Sequence, residues 1–145
     1  MRNMSFMLTT KQFKDKTKTV TRRNGWKHLK VGDFVQGCEK CQGLKKGEKL
    51  NKLGVIQILK TEFEPLNAIT KSDCIKEGFP NMTPAEFVTF YCKHNKCEPT
   101  TPVNRIEFVH KDAEIFSTAV KRIKKAESSA WVDGKIIIDG QLKLI

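Results

Sequence analysis

Strands and helices follow one another irregularly along this chain, which predicts a small α+β domain around a curved sheet or barrel rather than a doubly wound fold. Three observations carry that prediction. Residues 53–61 hold β-branched Val55, Ile56 and Ile58 in one short run, the pattern of a strand. Thr83-Pro84-Ala85-Glu86 places threonine, proline and glutamate where a helix cap, first turn and capping box require them. The chain has 145 residues, enough for one domain with a sizeable core.

Taken in order, residues 4–8 (Met4 to Leu8) read as a first strand. Thr9 or Thr10 then caps a short helix through Phe13 and Asp15 that ends near Lys16. A basic segment follows, and Asn24-Gly25 before Trp26 is a turn signal. After the Gly32 turn, residues 33–39 read as a second strand. Residues 40–51 form a loop rich in glycine and lysine, and residues 53–61 are the clearest strand. Thr70-Lys71-Ser72-Asp73 resembles a helix start, and Gly78 sits where that helix stops. The helix opened by Thr83 runs to about Lys93, and residues 103–109 form another strand. Over residues 113–126 Phe116, Ala119, Val120 and Ile123 fall on one helical face, and Gly134 and Gly140 bracket a last strand at 135–139. No internal repeat or low-complexity linker interrupts the pattern.

Charge narrows the functional class. Lysine and arginine number 27 against 16 acidic residues, a net charge of +11, which concentrates polyanions near the surface. The charge alone points to nucleic acid, nucleotides or acidic membrane surfaces; RNA or a nucleotide or nucleoside is the partner expected once the resemblance below is added. No apolar stretch approaches membrane length and the opening apolar run is too short for a signal peptide, so no membrane partner is expected. Five cysteines, an odd number in a chain large enough to fold without staples, suggest a reducing cytoplasmic setting.

The most informative segment is Lys18-Thr19-Val20-Thr21-Arg22-Arg23, with three cations and two hydroxyls in six residues. Such a segment is expensive to bury, so it either lies solvated or lines a pocket for an anionic partner. In a regular strand Lys18 and Thr21 face opposite sides, so joint chemistry between them requires a bend within the motif.

With Ser5-Phe6-Met7-Leu8 before it and Gly32-Asp33, Glu39-Lys40-Cys41-Gln42-Gly43, Glu77-Gly78-Phe79 and Arg105-Ile106-Glu107-Phe108 after it, this Lys-Thr-x-Thr-x-Arg pattern resembles the ASCH domain of the PUA-like superfamily. The resemblance spans about residues 4–109 and implies a small β-barrel with peripheral helices and a cleft beside the motif. The chain is accordingly read as an ASCH-like domain, residues 1–110, and a helix and strand extension, residues 111–145, whose apolar stripe of Phe116, Ala119, Val120 and Ile123 is expected to pack on that domain. Members of the superfamily bind RNA or nucleotides without a cofactor. A small bacterial branch hydrolyses the acetyl amide of N4-acetylcytidine, and another member cuts RNA without a metal.

Carried over, the resemblance makes Lys18, Thr21 and Glu77 the catalytic candidates should the chain be an enzyme, Glu77 at a spacing that differs from the amidohydrolase branch. Lys18, Thr19, Thr21, Arg22 and Arg23 become the ligand-binding candidates, with Lys45 and Lys46 at the rim of the cleft. Lys18 serves such chemistry only with its pKa lowered, by burial or by Arg22 and Arg23; it then takes a proton from Thr21 or water while Glu77 protonates the leaving amine. As a charged ammonium it binds phosphate instead.

The cysteines offer no convincing metal site. Cys38 and Cys41 have ligand spacing, and Cys92, Cys97, His94 and His110 supply further donors. The two pairs lie too far apart for a common zinc ribbon, and reduced thiols are the expected state. Trp26 and Phe79 are candidate base-stacking platforms, with core burial as the alternative.

Overall fold

Phe13 shows how local sequence becomes architecture in this protein. Its ring sits against Gly37 and Gly54, which face each other across two strands. A Cβ at Gly37 would lie 2.3 Å from the Phe13 ring, so the glycine forms the slot that the ring occupies. The computed structural model describes residues 1–111, 137–138 and 141–142. Two compact units divide the chain, Met1–His110 and Lys111–Ile145.

In the first unit five strands form one curled half-barrel sheet: β1 (Arg2–Ser5), β2 (Val20–Arg23), β3 (Phe34–Cys38), β4 (Lys52–Pro65) and β5 (Pro102–Lys111). Their spatial order is β1-β3-β4-β5-β2, with β1 parallel to β3, β3 antiparallel to β4, and β2 antiparallel to β5. The fold is α+β with peripheral helices, as the sequence predicts. The helices are α1 (Thr10–Lys14), α2 (Lys71–Lys76) and α3 (Pro84–Asn95), with 3-10 turns at Met7–Thr9 and Leu66–Ala68.

Several boundaries differ from expectation for identifiable reasons. β1 ends at Ser5, because Phe6 turns inward and its N–H bonds to the Cys38 carbonyl before the chain enters the 3-10 turn. Neither threonine caps α1 through its hydroxyl; Thr10 Oγ1 instead donates back to the Phe6 carbonyl at 2.9 Å. β4 is longer than the β-branched run and continues through Glu62, Phe63 and Glu64. The capping box at Thr83 and Glu86 forms as expected, and α3 ends two residues beyond Lys93.

Two apolar clusters hold the unit together. Met4, Phe6, Phe13, Leu29, Val35, Ile56, Ile58, Ile106 and Phe108 fill the inside of the sheet. Leu66, Ile69, Cys74, Phe87, Tyr91 and Val103 pack α2 and α3 against it. Each buried side chain of this size is worth about 1.5–3 kcal/mol relative to exposure.

In the second unit Ile137–Ile138 (β6) pairs antiparallel with Gln141–Leu142 (β7). The expected helix over 113–126 and the ends of the strand expected at 135–139 lie outside the described residues. No helix among the described residues is long and apolar enough to cross a membrane.

Candidate functional site

β1 and β2 are the two edges of the half-barrel, and a cleft of about 310 Å³ opens where they approach. Arg23 bridges this seam: its Nη2 donates to the Ser5 carbonyl at 2.6 Å, and its guanidinium lies 4.9 Å from the centre of the Phe6 ring. One wall of the cleft comes from Ser5 to Thr9 and another from Lys18, Thr21, Arg22 and Arg23. Glu77 and Phe79 follow α2, and Phe87, Phe90, Tyr91, His94 and Asn95 of α3 complete the lining.

The bend that joint chemistry requires is present. Lys16 adopts a left-handed conformation (φ 64°) and β2 begins only at Val20, so Lys18 lies in the approach to the strand, freed from its alternation. Three backbone bonds and one from a histidine side chain pin that approach. Lys18 N–H donates to the Gln12 carbonyl (3.1 Å), Thr19 N–H to the Lys76 carbonyl (2.8 Å), and Phe108 N–H to the Thr19 carbonyl (3.0 Å). His110 Nε2–H donates to the Lys18 carbonyl at 2.6 Å. Burial lowers the His110 pKa, so this ring donates from its neutral form.

Glu77 is fixed by the end of α2. It is the C-cap residue, and Gly78 behind it takes φ 100°, a left-handed position where a Cβ would also lie 2.8 Å from the Gln12 side chain. From there the Glu77 carboxylate accepts from Lys18 Nζ at 2.7 Å and from Arg22 Nη1 at 3.0 Å. Lys18 Nζ also donates to the Glu77 carbonyl at 2.9 Å. Both side chains of the Lys18–Glu77 pair are 3% exposed. Burial pulls the Lys18 pKa below the ordinary lysine value, against the opposing attraction of Glu77.

Arg22 has a different fate from the one its place in a basic motif suggests. Its side chain is fully buried and meets three carboxylates: Glu64 at 2.7 Å, Asp73 at 2.6 Å and Glu77 at 3.0 Å. Arg22 stands directly opposite Arg105 across the β2–β5 pair, a juxtaposition of like charges that is unfavourable by itself. Asp73 bridges the two, with Glu64 and Glu77 completing the charge around Arg22 and Glu107 that around Arg105. The Asp73 carboxylate accepts from Arg105 Nε (2.7 Å) and Nη2 (3.0 Å) as well as from Arg22, and the Arg105 bonds first, then Arg22, hold its pKa down to about 2. The helix α2 is thus bound to the sheet through a buried ionic network.

Thr21 is buried on the cleft wall, and its Oγ1 accepts from Arg23 Nε at 3.1 Å. That bond leaves the hydroxyl proton free for another acceptor. Among the described residues Arg23 has no carboxylate partner; its bonds go to a hydroxyl and a carbonyl.

Of the candidates from sequence, Lys18, Thr21, Arg22, Arg23 and Glu77 line one cleft, whereas Thr19, Lys45 and Lys46 are not among its lining residues. Phe79 lines it too. Trp26 instead lies under the Arg2 guanidinium, 4.1 Å from its ring centre, beside a separate hollow with His28 and Phe34. Among the described residues no three histidine, cysteine, aspartate or glutamate side chains gather as metal ligands. Sequence reasoning missed the aromatic wall of α3, although Phe87, Phe90, Tyr91 and His94 recur at intervals of three and four, a helical stripe open to inspection. It also missed Asp73 and Arg105 as the anchors of Arg22.

This geometry is a curled five-stranded half-barrel with a cleft at its open seam, a fold consistent with the ASCH-type small β-barrel. No family model matches the chain, nor does the sequence of any curated protein. Among solved structures it is similar to protein EF3133 of Enterococcus faecalis V583, from the family DUF984, at 16% identity over 75% of this chain and 78% of that one, with a TM-score of 0.54. It is also similar to an ASCH domain from Lactobacillus crispatus JV V101, at 11% identity over 75% of this chain and 78% of that one, with a TM-score of 0.51. At these identities the likeness is one of fold.

Proposed function

We propose that the cleft takes a nucleoside-sized planar ligand and hydrolyses an acyl amide on its exocyclic nitrogen, the substrate class being N4-acylated cytidine. The observation that carries this reading is the buried Lys18–Glu77 pair, joined at 2.7 Å, with Thr21 on the wall of the same cleft. The volume, about 310 Å³, suits a small molecule, and the aromatic faces of Phe79, Phe90 and Tyr91 suit a planar base.

One proton moved along the Lys18–Glu77 hydrogen bond converts the ion pair into an amine and a carboxylic acid. Burial pulls the Lys18 pKa down and so favours its amine form. Lys18 Nζ then accepts the proton of Thr21 as Thr21 Oγ1 adds to the amide carbon. Glu77 delivers its proton to the departing exocyclic amine as the C–N bond breaks. Water cleaves the resulting acyl-threonine ester, releasing a carboxylic acid and restoring the hydroxyl.

A second reading, an RNA- or nucleotide-binding module without chemistry, is favoured by Arg23, a cleft cation bonded to neutral oxygens. Lys18 and Arg22 support it less, because carboxylates already neutralise both. Incubation of the protein with N4-acetylcytidine, followed chromatographically, separates the two. The expected result is cytidine from the native chain and none from Lys18→Ala, Thr21→Ala or Glu77→Gln, each loss nearly equal to loss of all three. No cytidine from the folded native chain, together with RNA affinity that falls steeply with salt, would replace hydrolysis by binding.

A further inference from the structure

We infer that Cys92 and Cys97, at the C-terminal end of α3, form a redox-active dithiol that closes to an intramolecular disulfide by exchange with a small-molecule disulfide. Their sulfurs lie 3.8 Å apart. The approach is built by the chain, since residues five apart on a continuing helix point roughly 140° away from each other. Lys96 ends α3 in a left-handed conformation (φ 50°, ψ 54°), which turns Cys97 back beside Cys92. Asn95 Nδ2 donates to the Tyr91 carbonyl at 3.1 Å and fixes that last turn.

A disulfide bond is about 2.0 Å long, so closure moves the sulfurs together by less than about 2 Å, within reach of side-chain rotation. Both thiols are half-buried, so a small disulfide reaches them; Cys38 and Cys74 are buried. Cys41 supplies an internal comparison. It is also half-buried, but its neighbour Cys38 is buried, whereas both Cys92 and Cys97 are reachable; burial raises the thiol pKa of Cys38 and of Cys92 alike, so access and not acidity separates the two pairs.

The exchange balances as follows. The thiolate of one cysteine of the pair attacks a sulfur of the small disulfide, forming a mixed disulfide and expelling one thiolate. The second cysteine, deprotonated, attacks the protein sulfur of that mixed disulfide and expels the other. The dithiol loses two electrons and two protons, and the small disulfide is reduced to two thiols. The site is independent of the chemistry proposed for the cleft, although His94 and Asn95 of the cleft lining lie inside the loop that the bond closes.

The test treats the full native chain with oxidised glutathione and maps its peptides by mass. The expected product carries a Cys92–Cys97 bond that dithiothreitol reverses, no glutathione on either residue, and glutathione on Cys41. In Cys92→Ser the adduct should persist on Cys97, and in Cys97→Ser on Cys92, because the resolving thiol is gone. Closure should be roughly tenfold slower in urea-unfolded protein, where the two thiols are not held together. The inference is overturned if adducts accumulate on Cys92 or Cys97 of the native chain, or if both stay free while Cys41 is modified. Equal closure rates in folded and unfolded protein would overturn it as well, and that readout needs no variant.

Discussion

Replacing Glu77 by glutamine keeps the volume of the side chain and removes its charge, which makes it the sharpest probe of the buried pair. The carboxylate accepts from Lys18 Nζ at 2.7 Å and from Arg22 Nη1 at 3.0 Å, and only 3% of it is exposed. Removing one partner of such a pair typically costs about 3–5 kcal/mol, because the other charge stays buried without compensation. Here Lys18 keeps its bond to the Glu77 carbonyl, and Arg22 keeps Asp73 and Glu64. The loss should therefore fall at the lower end, about 3 kcal/mol, which lowers the melting temperature by roughly 10 °C in a domain of this size. Urea unfolding followed by circular dichroism measures it, with the slope unchanged and the midpoint shifted. Adding Lys18→Met removes the orphaned ammonium, so the double variant should recover at least about 1 kcal/mol relative to the sum of the single losses. A Glu77→Gln loss below about 1 kcal/mol, or strict additivity in the double variant, would refute the coupling of these two groups.

Two further perturbations test the frame around the site. Gly37→Ala puts a methyl group 2.3 Å from the Phe13 ring, so it should destabilise by about 1–3 kcal/mol, read from the urea midpoint, and Phe13→Leu in the same chain should relieve part of that. Asp73 has a folded pKa of about 2 against an ordinary 3.8, so its stabilisation is complete above about pH 4 and is lost as the pH falls through 2. Acid titration of the unfolding midpoint should show this limb, and Asp73→Asn should flatten it while lowering stability at neutral pH.

What was legible in the sequence was local. Thr83 and Glu86 form their capping box three residues apart, and Val55, Ile56 and Ile58 lie in the strand that their branching predicts. Lys18, Thr21 and Glu77 were found by motif resemblance, and they do line one cleft. The bend that makes this possible could not be read from the motif, because it is imposed from other elements, by the backbones of Gln12, Lys76 and Phe108 and by the His110 side chain. The fate of Arg22 was equally hidden. Its partners Glu64, Asp73 and Glu77 lie 42, 51 and 55 residues away, and nothing in a run of basic residues says that three distant carboxylates will enclose one of them.

The three cations of the motif thus answer a question that net charge alone misdirects. A chain of +11 invites a polyanion, and a Lys-Arg-Arg cluster looks like the place for it. Yet a cation attracts phosphate only with the charge left over after its internal partners are counted. Lys18 is paired with Glu77, and Arg22 is enclosed by three acids, so neither has charge to spare. Arg23 alone of the three faces the cleft without a carboxylate among the described residues, and it is already engaged in bridging β1 to β2 and in orienting Thr21. The site is therefore nearly neutral, lined with aromatic faces, and holds the Lys18–Glu77 pair at 2.7 Å. The excess positive charge resides instead on exposed lysines such as Lys45, Lys46 and Lys49, on a loop that is not among the residues lining the cleft. The exposed positive charge and the proposed chemistry of the cleft then belong to separate surfaces, and substitutions on one need not alter the other.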